Sequence, residues 1–594
     1  MSSNASNPAL KLLLPVFCRF RLRLLLGFSA LIAVDLLQLT VPRYLKTGVD
    51  ALASGGATRQ QLLTLCLFIL MTAAAAAGMR FCWRTLLLGF SRHQETILRD
   101  DLYAHVLTMD QVFFDRHLPG DLMAHAGNDL TAVQMAFGMG MVAVADIVVM
   151  SAAALFFMCQ ISIDLTLLST APLPFLAAGT WFFSRLLHKR FEQAQRQFSL
   201  LTEFSRNTLI SIRLIKSCTR EAQQILNFER LDQEYASASL RSAVIQGLLT
   251  PFSLLAGGGG MLLVLYLGGG MVIRKEISLG DFVAFSTYFA MLAMPLNMIG
   301  WATGIVRRGL TSFSRIASLR AEQSSLAASI RQPASPAAIL QSRPHLSLRH
   351  LCFAYPGTVH AALTDINLEI GPGVLGITGR TGSGKSTLCR LLTRQYPVAD
   401  HAFFVAGHDV NRLGPELIRR LISFVGREPQ LFSGTAAENI SLARPEASLA
   451  EIMEAAALAA VHKEIMAMPE GYQTRIGEKG LRLSGGQKQR FAIARALLAA
   501  RPVLIADDAL SALDAETAQI VFASLRNRQR GKTLIFVSHH VQLLSHADHV
   551  LILENGRIAE QGSPDWLMAR SSFYQETARQ QQGREEANAQ LRLC

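Results

Sequence analysis

A chain of 594 residues that is half hydrophobic and only 17% charged is too apolar for a purely soluble enzyme. Apolar runs long enough to span a bilayer, about 18–25 residues, fall only before residue 305. The net charge of +13 does not mark a nucleic-acid binder: no basic patch is interleaved with aromatics, and much of the excess flanks the apolar runs, as positive-inside topology requires. The eight cysteines are scattered without a C-x-x-C pair, which argues against a disulfide frame or a metal site.

In chain order, residues 1–18 are too short an apolar stretch to span and read as an interfacial segment on the inner surface. Arg19, Arg21 and Arg23 then precede a first span at 24–42, closed by Pro42. Further spans are expected near 62–80, 138–160, 164–186, 244–272 and 281–304, six in all, within a membrane domain at 19–309. The stretch 187–240 carries eight bases, including Arg190, Arg213 and Arg230, whereas the turn 161–164 carries none. Both termini and both long polar stretches (81–135 and 187–240) are therefore expected on the cytoplasmic side of the cell (inner) membrane. The polar stretches keep helical periodicity (Ile97, Leu98, Leu102, Val106; Phe204, Leu209, Ile212, Ile215), so they read as spans continuing into the cytoplasm. Pro119-Gly120 breaks the first with a turn that suits either docking or a plain solvated hairpin.

Asp35, Asp146 and Arg80 are ionisable groups inside spans, where such groups face a bundle interior or a water-filled cavity. A cationic ligand and a pairing between helices both explain them. Gly257–Gly260 and Gly268–Gly270 permit close helix contact or bending.

Ser, Ala, Gln and Pro accumulate over 310–344, as in a linker, ahead of an α/β domain at 345–575 and a tail at 576–594. In that domain Gly379-Arg380-Thr381-Gly382-Ser383-Gly384-Lys385-Ser386-Thr387 is G-x-x-x-x-G-K-S, preceded by the strand-like Val374–Ile377 and followed by helical spacing. This context turns backbone N–H groups onto phosphates at a helix N-terminus, with Lys385 as a point charge and the Ser386 hydroxyl as a ligand for Mg²⁺. Tyr355 offers an aromatic face upstream for an adenine. Leu483-Ser484-Gly485-Gly486-Gln487 is a second glycine-bearing loop that opens a helix. Val503–Ala506 ends in Asp507-Asp508, which places one carboxylate beside the metal and the next near the γ-phosphate. Asp514 follows, and Thr533–Ser538 is a buried-type strand ending at His539.

The order of these elements resembles the nucleotide-binding domain of ATP-binding-cassette transporters. The membrane half is similar to the six-span exporter type fused ahead of its ATPase. Phe113–Leu122 resembles the first coupling helix of that type, Ile212–Ser217 with Arg220-Glu221 the segment around the second, and Gly280–Phe285 the sixth-span region of bacterial heterodimeric multidrug exporters. The resemblance implies a six-helix membrane domain followed by an α/β P-loop ATPase domain, with ATP and Mg²⁺ bound. It also implies pairing with a second half-transporter whose signature loop completes each site, and ATP-driven alternating access that exports hydrophobic or amphiphilic small molecules. A lipid or thiol-compound exporter subunit, or a regulatory ATP-binding subunit, is the alternative.

Two positions depart from the family pattern. The general base that follows the strand-end Asp is there a Glu and here Asp508, whose carboxylate reaches one methylene less far. The residue beside the metal and attacking water is there a Gln and here Arg427, a permanent cation that cannot ligate a metal. With the signature intact, the expectation is a heterodimer in which this chain's own site is impaired and the partner carries the Glu.

Overall fold

The computed structural model describes residues 17–326, 345–477 and 483–593. Most of the expected interfacial segment, and the linker from 327 to 344, lie outside the described residues. The chain divides into two compact units, one of residues 1–107 and 119–322, the other of 108–118 and 323–594.

The first unit is all helix among the described residues. Helix α1 (Arg21–Ala53) is followed by α2 (Arg59–Leu107), which contains a π turn at Arg84–Leu88. After the segment assigned to the second unit, with α3 (Gln111–Arg116), come α4 (Pro119–Ile161), α5 (Ile163–Thr170), α6 (Pro172–Ile210) and α7 (Ile212–Ser217). Helix α8 (Glu221–Leu263) continues through a π turn into α9 (Gly269–Ile273), and α10 (Leu279–Ala321) closes the unit. By length and composition α1, α2 and α4 each cross a membrane, and Gly258–Ile273 and Leu279–Leu292 are apolar segments of the fifth and sixth passages. Turns between passages follow local chemistry: Thr58 with Gln61 and Ser278 with Asp281 form capping boxes that start α2 and α10.

Packing inside this unit depends on small residues and on satisfied polar groups. A Cβ on Gly260 would lie 2.3 Å from the Phe289 ring, so the glycine lets α8 and α10 touch. The Tyr288 hydroxyl donates to the Leu39 carbonyl at 2.9 Å, three residues before Pro42, where the proline weakens the helical ladder. At the other end of α1, Asp50 accepts from Ser278 Oγ at 2.9 Å and from the Gly280 N–H at 2.8 Å, and Lys46 pairs with Asp281 at 2.5 Å. A Cβ on Gly280 would sit 2.3 Å from the Lys46 carbonyl, which gives the Gly280-Asp281 pair a physical reason.

The second unit holds two large sheets and a two-stranded one among the described residues. An antiparallel sheet has the order β2-β1-β4-β5, from β1 (Leu346–Phe353), β2 (Leu363–Ile370), β4 (Phe403–Val405) and β5 (His408–Asp409). The main sheet has the order β12-β11-β3-β10-β9-β6: β3 (Gly373–Gly379), β6 (Ile422–Val425), β9 (Val503–Asp507), β10 (Thr533–Val537) and β11 (His549–Glu554) are parallel, with β12 (Arg557–Gly562) antiparallel at its edge. A two-stranded antiparallel sheet of β7 (Gly434–Thr435) and β8 (Arg475–Ile476) completes the set among the described residues. Strands β9 and β10 are buried along their whole length, as parallel strands covered on both faces require.

Helix α3 belongs to this unit by its contacts. Val112 joins the core of β1, β2 and β3, and the buried Tyr396 donates to Asp115 Oδ2 at 2.7 Å. Asp110 caps α3 through the Phe113 N–H, and its other oxygen accepts from Ser324, Ser325 and the Leu326 N–H.

Three expected boundaries shift. The segment Phe113–Leu122 is not one helix: α3 ends at Arg116 and α4 begins at Pro119, because proline suits a first helical turn. Helix α10 runs to Ala321, past the expected linker start at 310, because Ser312 and Arg315 both bond Asp129 of α4. Residues 576–593 of the expected tail are helical, within a terminal helix Ser572–Leu593.

Candidate functional site: the nucleotide loop and the signature loop

The parallel sheet puts its carboxyl ends in register: Val537 pairs with both Asp507 and Ile377, so the tips of β3, β9 and β10 share one edge. Sites in open parallel sheets form there. Beyond β3 the loop turns through Gly379, Gly382 and Gly384, all at positive φ. A Cβ on Gly379 would meet the Leu553 carbonyl at 2.1 Å, and one on Gly384 would meet Leu363 at 2.6 Å, so the loop tolerates only glycine at both. Helix α11 (Lys385–Leu392) then begins with its N–H groups facing the concavity. Lys385 Nζ lies inside the loop and donates to the carbonyls of Gly379 at 2.8 Å and Arg380 at 2.7 Å. Burial pushes its ammonium below the usual value, against the pull of Asp507 and Asp508.

Ser386 Oγ donates to Asp507 Oδ1 at 3.1 Å, so the hydroxyl and carboxylate expected to hold Mg²⁺ already converge. Burial raises the Asp507 carboxyl, Ser386 opposes the shift and Asp508 adds to it. A buried carboxylate and an exposed hydroxyl that converge in this way are oxygen donors that fit a hard divalent cation open to incoming phosphate. Next in the chain, Asp508 has φ +53°, a left-handed backbone that Asp tolerates better than most residues. Its Oδ2 lies 3.6 Å from Arg427 Nε, just beyond β6. The two departures from the family pattern therefore touch each other.

Tyr355 is half-buried beside α11, with its hydroxyl 3.0 Å from Thr387 Oγ1 and its ring packed edge-on to Phe353 and Tyr396. His539 follows β10, where partial desolvation lowers its imidazole, Lys385 lowers it further and Asp508 opposes.

The signature loop forms a second cluster. Ser484 and Gln487 make a reciprocal capping box at the start of α12 (Gly485–Ala499), with the Gln487 N–H to Ser484 Oγ at 3.2 Å and the Ser484 N–H to Gln487 Oε1 at 2.9 Å. A Cβ on Gly486 would lie 2.9 Å from the Ala512 carbonyl, so the 511–514 segment packs onto this helix start. Asp514 caps α13 (Ala515–Arg528) through the Thr517 N–H at 3.0 Å. Leu483 packs against the core of the second unit.

Two residues that sequence reasoning missed tie these parts together. Buried Gln489 accepts from the Ala512 N–H at 3.1 Å and donates to the Arg427 carbonyl at 3.4 Å, bridging the signature helix to the Arg427 loop. Gln581, on α14 (Ser572–Leu593), accepts from the Val541 N–H at 2.8 Å and donates to the His539 carbonyl. Neither belongs to a motif, and in sequence each is one polar residue on a polar helix face.

Residues 24–296 match the family "ABC transporter transmembrane region" and residues 363–511 the family "ABC transporter". The chain belongs to the ATP-binding-cassette transporter family. It is 36% identical over 564 residues, 94% of each chain, to "Multidrug resistance-like ATP-binding protein MdlA" of Escherichia coli. It is 33% identical over 568 residues to "Probable multidrug resistance ABC transporter ATP-binding/permease protein YheI" of Bacillus subtilis, covering 95% of this chain and 96% of that one. Among solved structures, a bacterial Atm1-family ABC exporter with ATP bound superposes with a TM-score of 0.79 at 25% identity, covering 94% of this chain and 99% of that one. This transporter chain is thus an exporter half: a helical membrane domain fused ahead of an α/β domain that binds and hydrolyses ATP.

Proposed function

We propose that this chain is one subunit of a heterodimeric exporter of hydrophobic or amphiphilic compounds, working by alternating access, and that its own ATP site binds nucleotide but turns it over slowly. The observation that carries this reading is the Arg427–Asp508 ion pair beside a complete phosphate loop. Lys385 and the α11 N-terminus would hold the β- and γ-phosphates, with Tyr355 beside the adenine. Ser386 and Asp507 would hold Mg²⁺, which supplies charge neutralisation at the phosphates. A general base needs a free carboxylate within about 3 Å of the proton it takes. Asp508 instead faces the Arg427 guanidinium, which would hold it away from the attacking water. The signature Leu483–Gln487 keeps its glycines and its cap, and would complete the partner's site. Multidrug naming of the MdlA and YheI relatives supports the substrate class. The ATPase domain and both termini would face the cytoplasm at the inner membrane.

The test is ATP-driven uptake of an amphiphilic dye into inverted vesicles that hold this chain alone, or together with a half-transporter carrying Glu after its strand-end Asp. Uptake and ATP hydrolysis are expected from the pair and at least tenfold less from the chain alone. Equal turnover by the isolated chain would refute the heterodimer.

A further inference from the structure

The membrane unit contains a cavity of about 610 Å³ between α1, α2, α4 and α10. This is within the range of small-molecule sites, roughly 300–1,000 Å³. Its walls are largely apolar, with Trp83, Trp301 and Met298 among them, and they carry Asp35, Asp146 and Arg80. The Asp35 and Asp146 carboxyls face each other across the cavity wall, with Arg80 as the cation acting on both. A further base of the lining, Arg84, has its guanidinium 5.7 Å over the Trp83 ring. Asp35 is only 2% exposed, and no donor reaches its Oδ2.

The two carboxyls hydrogen-bond each other, so what stays open is the single Asp35 Oδ2, and a buried oxygen that lacks a donor calls for one from elsewhere. We infer that the Asp35–Asp146 pair is the receptor for a protonated lipophilic amine, whose N–H⁺ donates to Asp35 Oδ2 while its apolar body lies against Trp83, Trp301 and Met298. The inference deepens the exporter reading and rests on it. An ammonium brings an N–H donor to the open oxygen and a second positive charge to two acids that otherwise share Arg80, and its charge can add a contact to an aromatic face. Arg80 opposes such a ligand by like charge, and this gives the site a readout that a merely structural carboxyl pair would not have.

The probes are monodansylcadaverine, a primary ammonium on a fluorescent body, and its N-acetyl analogue, which keeps the body and loses the charge. Binding is titrated by dansyl fluorescence on the full chain in lipid nanodiscs. The amine is expected to bind more tightly than the acetyl analogue. Asp35→Asn should weaken the amine about tenfold or more and leave the acetyl analogue within about twofold. Asp35→Glu should retain most of the preference, and Arg80→Gln should tighten the amine several-fold. Asp146→Asn, measured alongside, reports on the pair if the Asp35 variant fails to fold. Equal loss of both probes in the Asp→Asn variants, or no preference for the amine in the parent chain, would overturn the inference. ATP-driven movement of the acetyl analogue in inverted vesicles with no such preference would overturn it while leaving the exporter reading intact. Movement of neither probe would count against both.

Discussion

Arg427 Nε stands 3.6 Å from Asp508 Oδ2, so the two positions at which the nucleotide site departs from its family form one ion pair. The Arg427 side chain is 73% exposed, so the pair itself contributes little stability, about 0–1 kcal/mol. In the proposed reading its consequence is chemical: it would engage the carboxylate that otherwise faces the attacking water.

That coupling makes the two positions non-additive. Asp508→Glu or Arg427→Gln alone should raise hydrolysis at this site only a few-fold, because each leaves the other fault in place. The double variant should gain about 100-fold, within the range of a positioned general base. The measurement is single-turnover hydrolysis by the assembled pair, with the partner's catalytic Glu changed to Gln so that only this site reports. Additive singles would mean that the ion pair has no role.

Asp110 predicts a pH dependence of stability. Burial works against its carboxylate, but hydrogen bonds from Ser325, the Phe113 N–H, Ser324 and the Leu326 N–H together hold it below the ordinary value of 3.8. The unfolded chain therefore binds the proton first as pH falls. The stabilisation is fully present above about pH 4 and is lost as pH drops through the lowered value. Asp110→Ala should cost about 2–4 kcal/mol at pH 7, from a lost helix cap and lost charged hydrogen bonds. Its deficit against the parent chain should shrink below pH 3.8. Denaturant unfolding of the second unit across pH 3–7 checks this, and a deficit that does not change with pH would contradict it.

What the sequence reading reached depended on how local the chemistry is. The phosphate loop was legible because the left-handed turns at Gly379 and Gly384 and the helix start at Lys385 are written in a few adjacent residues, although the contacts that also demand those glycines, Leu553 and Leu363, are distant in sequence. The strands around it were legible from apolar runs that stop at reactive residues, as at Asp507. The Arg427–Asp508 contact was not, since it needs β6 and β9 as neighbours and a left-handed backbone at Asp508. The extension of α10 was also hidden: Ser312 reads as a linker residue until Asp129 of α4 is seen to accept its hydroxyl. Asp35 and Asp146 could be assigned to spans but not to a shared cavity, because helix rotation is set by packing between helices.

Gln581 gives the terminal helix a defined task. By holding the His539 carbonyl and the Val541 N–H it fixes the loop after β10. Gln581→Ala should release that loop, with amide exchange at 540–542 accelerating about 10- to 100-fold for a loss of roughly 1–3 kcal/mol. Exchange elsewhere in the main sheet should be unchanged. A uniform acceleration would indicate general destabilisation instead.

The last prediction separates binding from turnover at this site. Lys385 is held inside the loop by the Gly379 and Arg380 carbonyls, Ser386 already meets Asp507 and Asp508 pairs with Arg427, so in the proposed reading the groups that would grip phosphate and metal are assembled while the carboxylate that would activate water is engaged. Nucleotide bound here should outlast several turnovers of the partner site and hold the two ATPase domains together. Lys385→Ala removes the point charge on the phosphates and should shorten retention at least tenfold, and it should lower transport although the partner's catalytic residues are untouched. Ser484→Ala acts in the other direction: it removes a cap worth about 1 kcal/mol from the loop that completes the partner's site, and should abolish most hydrolysis by the pair while nucleotide stays bound here. Radiolabelled ATP is trapped in the pair, washed, and the residue is separated into ATP and ADP. Mostly ATP, retained in the Ser484→Ala pair and lost in the Lys385→Ala pair, is the expected result. Recovery of ADP alone, at one rate from both sites, would make this an ordinary catalytic site and would dissolve the asymmetry on which the heterodimer rests.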